Sequence, residues 1–334
     1  MIKNYPEGVS LIICTYNGAK RLPDTISHVN RVVPDPVIPW ELIIIDNGSD
    51  DHSGQVALGL WSRKEPMRVI AENEKGLIHA RYRGIREANY EYISFIDDDN
   101  WIDPDWIINI YRIFKEHPEV GMCGSHNKGE FETDPPAWFK SIQGSFAVGR
   151  QGKETGDVTV SRGFVWGAGM SFRKSAFERL LAAGFESRLT GRKGKNLAAG
   201  EDTEIAYAFR MAGWHLWYSE ELTLKHYIPT SRLDWDYITG MYTGFGKSHA
   251  LFEIYKLVLN EKRYRPYRLY RRLFRAFWRF YRRKLTGGLK NTPGNVDYLK
   301  YTSHRAKLLE AIRNFKRNKI LYQQLKDFKR KIRE

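Results

Sequence analysis

Four short apolar runs, each closed by a polar cluster, constrain this chain more than any other feature of its sequence. Val9–Cys14, Leu42–Ile45, Met67–Ile70 and Tyr92–Ile96 are strand-length and dominated by Ile, Leu, Val and Phe. Between them lie the helix candidates Lys20–Val32, Ser53–Arg63 and Gly76–Asn89, the last with Leu77, Ala80, Tyr82 and Ile85 roughly at helical spacing. Near-continuous apolar strands belong to a sheet covered on both faces, and alternation with helices makes that sheet parallel. The expected fold class is α/β, a Rossmann-like, mostly parallel sheet with flanking helices. Such sheets bind ligands beyond the carboxyl ends of their strands. At those ends stand Thr15-Tyr16-Asn17-Gly18, Asp46-Asn47-Gly48-Ser49-Asp50-Asp51 and Asp97-Asp98-Asp99-Asn100. All three clusters are expected on one edge.

Three consecutive aspartates repel one another and raise each other's pKa values unless a cation neutralises them. Hard Mg²⁺ or Mn²⁺ suits carboxylate and phosphate oxygens. A solvated acidic turn capping a helix that begins near Pro104 accounts for the same residues without a metal.

The second half is less regular. Pro135-Pro136 and the stretch from Ser141 to Gly156 predict a long loop, and Val158–Phe172 predicts extended segments broken by glycines. Asp202–Met211 predicts a helix ended by Gly213, and Trp235–Asn260 a longer one. The two cysteines, Cys14 and Cys123, are too few for a disulfide framework and fit a reducing compartment. Met1–Gly8 lacks a secretory layout, and no apolar run reaches the roughly 18 residues of a membrane span.

The motifs Val9-Ser-Leu-Ile-Ile-Cys-Thr-Tyr-Asn17, Ile45-Asp-Asn-Gly-Ser-Asp50, Asn73-Glu-Lys-Gly76 with Ala80-Arg81, and Phe95-Ile-Asp-Asp-Asp99 share one order and spacing. In both they resemble family 2 glycosyltransferases of the GT-A fold, over about residues 8 to 250. The resemblance implies an inverting transferase of the bacterial polysaccharide or O-antigen type, with a UDP-, GDP- or dTDP-sugar donor and Mn²⁺ or Mg²⁺ as cofactor. It places Thr15, Tyr16, Asn17 and Asp46 around the nucleotide, with Tyr16 beside the base. Asn47 stands where the family often has a second Asp. Arg81 and Asp98 fall near the nucleotide and its phosphates. Asp97 and Asp99 fill the Asp-x-Asp motif, with Asp99 the stronger metal ligand and His226 a third. Trp166-Gly167-Ala168-Gly169 resembles the acceptor-side loop. Glu201-Asp202 resembles the catalytic Glu-Asp motif, with Asp202 as general base. A helix N-cap is the alternative role for Asp202, and a purely structural role the alternative for His226.

The formal net charge of +15 is unevenly placed. Residues 1–261 carry 30 Lys/Arg and 35 Asp/Glu, whereas 262–334 carry 24 and 4. A glycosyltransferase domain over 1–260 is therefore expected to be followed by a basic helical extension over 261–334. In 266–285, Tyr270, Leu273, Phe274, Phe277, Tyr281 and Leu285 fall on one helical face, with most arginines elsewhere. Such a helix suits an anionic membrane surface, where each basic residue contributes about 1 kcal/mol. Packing of the same face on the enzyme is the alternative. A cytoplasmic protein at the inner face of the cell membrane is expected, acting on a glycan or lipid-linked acceptor. Nucleic acid is disfavoured as a partner by the acidic body and the lack of a binding motif. Two other functions compete: a metal-dependent nucleotidyltransferase, and a non-catalytic membrane-associated scaffold. The Glu201-Asp202 motif argues against the first, and intact Asp97, Asp99 and Asp202 argue against the second.

Overall fold

The computed structural model describes residues 4–189 and 200–334. The reading of Met1–Gly8 thus lies partly outside the described residues. The four apolar runs form β1 (Val9–Thr15), β2 (Trp40–Asp46), β3 (Met67–Ala71) and β4 (Tyr92–Asp97). Helices α1 (Leu22–Val29), α2 (Ser53–Leu60) and α3 (Leu77–Glu87) connect them, so the chain crosses over each time and neighbouring strands run parallel. Side chains alternate between two cores, as strand geometry requires. Ile12, Ile43, Ile45 and Phe95 join one; Leu11, Ile13, Leu42, Ile44 and Ile96 join the other. Each fully buried side chain of this size contributes roughly 1.5–3 kcal/mol, so no strand can slip by one residue without exposing its whole set.

Two helices are shorter than expected, for identifiable reasons. The segment before α1 bonds to the β2–α2 loop instead of coiling: the Gly18 and Ala19 N–H groups donate to Ser53 Oγ and Asp51 Oδ2. Past α2 the chain turns extended at Trp61, and the Arg63 side chain reaches back to the carbonyls of Asn30 and Val32.

The rest of the sheet comes from β5 (Asn100–Ile102), β6 (Val120–Phe131), β7 (Gly156–Asp157), β8 (Ser171–Arg173) and β9 (His215–Ile228), interleaved with α4 (Trp106–Glu116), α5 (Lys174–Ala182) and α6 (Glu201–Met211). The strand order is β3-β2-β1-β4-β8-β6-β9-β5, with β7 added on β9. The long pair β6–β9 carries register shifts, and β6 is interrupted by Gly121, Gly124 and polar residues, so no clean period announces it. Val158–Phe172 is mostly loop, because Gly163 and Gly169 turn the backbone to φ of +83° and +78°. The expected loop over 141–156 is preceded and begun by two 3-10 turns, Ala137–Ser141 and Gln143–Phe146.

Four helices complete the chain: α7 (Trp235–Leu259), α8 (Pro266–Leu285), α9 (Val296–Arg313) and α10 (Phe315–Arg333). Asp234 caps α7 by accepting the N–H groups of Asp236 and Tyr237. Leu269 and Leu273 of α8 and Leu321, Leu325 and Phe328 of α10 belong to the same buried cluster as Phe172 and Phe209. Packing therefore crosses the division placed at residue 260. No helix among the described residues is long and apolar enough to cross a membrane.

Candidate active site

The sheet brings the carboxyl ends of β1, β2, β4 and β9 and the loop entering β8 to one edge, where α6 also begins. A cleft of about 550 Å³ opens there, running from Tyr16 and the acidic turn to the start of α6 and one side of α7.

The three aspartates of the acidic turn meet different partners. Asp98 is held by the Arg21 guanidinium, with Nε and Nη2 each at 2.8 Å, and accepts the Thr15 hydroxyl at 2.6 Å. Gly18 allows this, because a Cβ there would lie 2.1 Å from Thr15 Oγ1 and 2.4 Å from Asp98 Oδ2. The bond to Asp98 holds the Arg21 pKa above its usual value. Asp99 Oδ2 pairs with Arg232 Nη1 at 3.0 Å, while Oδ1 accepts the Asn100 amide at 3.0 Å and stands 3.6 Å from His226 Nε2. Burial pushes the His226 imidazole below its usual pKa, against the pull of Asp99, so the ring is neutral. Burial is the largest influence on Arg232 and opposes its charge, but Asp99, Tyr237 and Asp97 together outweigh it and raise that pKa. Asp97 ends β4 and lines the cleft.

Beside the turn, Tyr16 is 49% exposed at the cleft mouth, with Lys75 Nζ 5.3 Å from its ring centroid. Asn17 adopts φ +49° and its side chain accepts the Asp50 N–H, tying the first loop to the second. Asp46 Oδ1 accepts the Ser49 N–H. The Asn47 amide donates to the carbonyls of Glu72 and Glu74 and accepts the Gly76 N–H at 2.7 Å, so it clamps the loop leading into α3.

At the other end, Gly200 occupies the N-cap of α6, which leaves Asp202 inside the first turn instead of capping the helix. The Asp202 carboxylate reaches across to accept the Gly167 N–H at 2.8 Å and also takes the Thr203 N–H at 2.7 Å. Burial, and then the neighbouring Glu201, raise its pKa; Arg81 and the two N–H donors oppose them. Arg81 is buried, with Nη1 3.5 Å from Glu201 Oε1, and its charge also interacts with Asp97. A Cβ on Gly167 would lie 2.8 Å from Arg81 Nη2, so glycine is what lets this loop close on the pair. Trp166 is covered by Arg162, whose guanidinium lies 4.4 Å from the ring centroid. Cys14 also lines the cleft, its thiol pushed up to about 12 by burial, so it offers no thiolate.

Against known proteins, residues 10–181 match the family described as Glycosyl transferase family 2. The chain belongs to that family. The glucosyl-dolichyl phosphate glucuronosyltransferase of Haloferax volcanii is 22% identical over 242 residues, covering 72% of this chain and 76% of that protein. The poly-beta-1,6-N-acetyl-D-glucosamine synthase of Staphylococcus epidermidis is 31% identical over 116 residues; the likeness spans 34% of this chain and only 27% of that relative. Among solved structures, S. aureus TarS 1-349 in complex with UDP-GlcNAc matches with a TM-score of 0.52 at 12% identity, covering 93% of this chain and 92% of that one. The fold is GT-A.

In this family 2 glycosyltransferase the cleft gathers Tyr16, Arg81, Asp97, Asp98, Asp99, Trp166, Gly167, Glu201, Asp202 and His226 from the positions picked out in sequence. Thr15, Asn17, Asp46, Asn47 and Gly169 are not among its lining residues. Thr15, Asn17 and Asn47 brace its loops through the bonds above, and Gly169 packs against Ser125 and Trp106. Sequence reasoning missed Arg21 and Arg232. Arg232 follows the end of β9, so asking what stands beyond each strand would have found it; Arg21 lies three residues past the first polar cluster. It also missed the wall formed by α7, where Phe252 packs on Gly200. Among the described residues no three His, Cys, Asp or Glu side chains form a metal-holding group.

Proposed function

We propose that this transferase moves a sugar from a nucleoside-diphosphate donor to a hydroxyl of a glycan or lipid-linked acceptor, inverting the anomeric carbon. The observation that carries the proposal is Asp202. It is a partly buried carboxylate of raised pKa, oriented by the Gly167 N–H, in the same cleft as the acidic turn. Asp202 takes the proton of the acceptor hydroxyl as its oxygen attacks the anomeric carbon. The bond from that carbon to the donor phosphate breaks on the opposite face, and the nucleoside diphosphate leaves. Tyr16 lies open at the mouth for the base, while Arg81 and Arg232 direct positive charge toward the diphosphate. The UDP-GlcNAc bound by TarS makes uridine the first nucleotide to try.

A divalent cation fits Asp99 and His226. Their carboxylate oxygen and neutral imidazole nitrogen face each other across 3.6 Å, both side chains nearly sealed from solvent. Asp97 is close enough to His226 and Arg232 to influence both electrostatically. Two or three protein ligands suit Mg²⁺ or Mn²⁺, whose shells are completed by water and phosphates. When bound, the ion neutralises charge that develops on the leaving diphosphate. The basicity of residues 262–334 further supports work at the inner face of a cell membrane, attached through 266–285.

Nucleotide release from a panel of UDP-, GDP- and dTDP-sugars with Mn²⁺ or Mg²⁺ tests the reading. Release with one donor, abolished by EDTA and reduced by about 10²-fold or more in Asp202→Asn, is expected. Undiminished turnover in Asp202→Asn removes that residue as the base, and full activity in EDTA removes the metal.

A further inference from the structure

Fifteen large apolar side chains are conspicuously exposed among the described residues, and eight of them lie between Tyr267 and Ile320. That concentration marks the C-terminal helices as an interaction surface. On α8 the exposed set is Tyr267, Phe274, Trp278 and Leu285, at 73%, 50%, 40% and 65% exposure. Their spacing of seven, four and seven residues puts them on a single line along the helix.

Only Phe274 and Leu285 of this line belong to the face marked out by sequence. Leu269 and Leu273 are buried, Phe277 and Tyr281 stack on Tyr301 of α9, and Tyr270 donates its hydroxyl to the Ala311 carbonyl. With Phe280 stacked on His304, four of the seven aromatic side chains of α8 fasten the helix to the protein. The remaining line is turned away from that contact. Arg271 and Arg282 follow Tyr267 and Trp278 by four residues, and with Arg275 they form an exposed row beside the line. None of the three has a carboxylate partner among the described residues. A second apolar group, Leu309, Ile312, Phe315 and Ile320, sits at the α9–α10 corner, and Phe315 packs on Tyr270 at 5.3 Å between centroids.

The charge selects the occupant. Residues 262–334 carry 24 basic and 4 acidic side chains. A second copy would set this cationic surface against itself or against a body that is only mildly acidic, with 30 basic and 35 acidic side chains. Nucleic-acid phosphates would satisfy the arginines but leave Leu285 and Ile312 in water. An anionic bilayer meets both demands, since arginines reach headgroups while Trp, Tyr and aliphatic side chains enter the acyl boundary.

We propose that α8 and the α9–α10 corner lie in the interface of an anionic membrane, with Tyr267, Phe274, Trp278 and Leu285 as the inserting residues. The proposal rests on the membrane reading above and names the face that does the binding. The platform is fixed to the catalytic cleft. Gly246 of α7 lies so near α9 that a Cβ would stand 2.3 Å from the Ser303 carbonyl oxygen, while Phe252 of the same helix packs on Gly200. Docking through α8 therefore holds the acceptor side of the cleft at a set distance from the lipid.

Flotation of the full chain with vesicles of phosphatidylcholine, alone or with about a third phosphatidylglycerol, tests it. The wild type and Leu58→Ser, a change at an exposed leucine of α2, are expected to float with the anionic vesicles and to detach as salt is raised. Phe274→Ser/Trp278→Ser is expected to bind about tenfold or more weakly, with unchanged unfolding temperature and donor turnover. Failure of the wild type to float with either vesicle overturns the membrane reading itself. Floating that Phe274→Ser/Trp278→Ser leaves intact overturns the face and spares the reading. A light-scattering mass of two chains that the double variant reduces to one, without vesicle binding, replaces the lipid with a second copy.

Discussion

Glu201 and Asp202 are adjacent acids at a buried helix start, with Arg81 the cation nearest to them. Burial and Glu201 hold the Asp202 pKa above the ordinary carboxylate range; Arg81 restrains that rise. The proposed base works only when ionised, so turnover should climb as pH rises through this raised value. Arg81→Met removes the restraint, so the acidic limb of the kcat profile should move to higher pH. An acidic limb left in place by Arg81→Met would separate the titrating group from Asp202. At this scale the sequence was legible where short motifs bring residues to the cleft, as at Asp97, Asp99 and Asp202. It was not legible where a role depends on a distant partner. Arg21 meets Asp98 77 positions away, and no local spacing announces that pair.

Among the elements, α6 shows how backbone shape serves the site. Gly200 sits at φ +123°, and a Cβ there would stand 2.8 Å from the Phe252 ring. At the other end of the same helix Gly213 adopts φ +93°, but a Cβ would meet nothing within 4 Å. Both Gly→Ala changes carry the backbone strain of a side chain at positive φ, on the order of 1–3 kcal/mol each. Gly200→Ala must also push the turn that carries Glu201 and Asp202 off Phe252. It should therefore lower turnover at least about tenfold, one RT ln 10 unit of 1.4 kcal/mol, while Gly213→Ala keeps turnover and loses only stability. Parallel melting curves and donor-release rates check this, and equal rates in the two variants would break the link between Phe252 and the proposed base. The strands β1 to β4 could be read from sequence because each is a nearly pure apolar run with a polar stop. The pair β6–β9 could not, since glycines, polar residues and register shifts erase the period that such a reading needs.

Across the whole molecule, α7 is shared by two structures. One side carries Phe252 against Gly200 and lines the cleft; another receives α9 at Gly246, with Glu253 ion-paired to Lys307 of α9 and Arg272 of α8. The charge pattern makes the last 73 residues look detachable, because basicity changes abruptly near residue 261. Packing points the other way. Leu269, Leu273, Leu321, Leu325, Phe328 and Ile332 are all buried in the core that includes Phe172 and Phe209. Six large side chains at roughly 1.5–3 kcal/mol each amount to about 10 kcal/mol or more, comparable with the entire stability of about 5–15 kcal/mol of a typical domain. A chain ending at Glu261 should thus fail to accumulate in soluble form, or melt far below the full chain and release no nucleotide. Soluble expression of that shortened chain with full donor turnover would instead make the C-terminal helices an accessory to a self-sufficient catalytic domain. The loss of turnover is expected to follow from α7, since stripping α9 and α10 leaves the helix that packs on Gly200 at the start of α6 without its outer support.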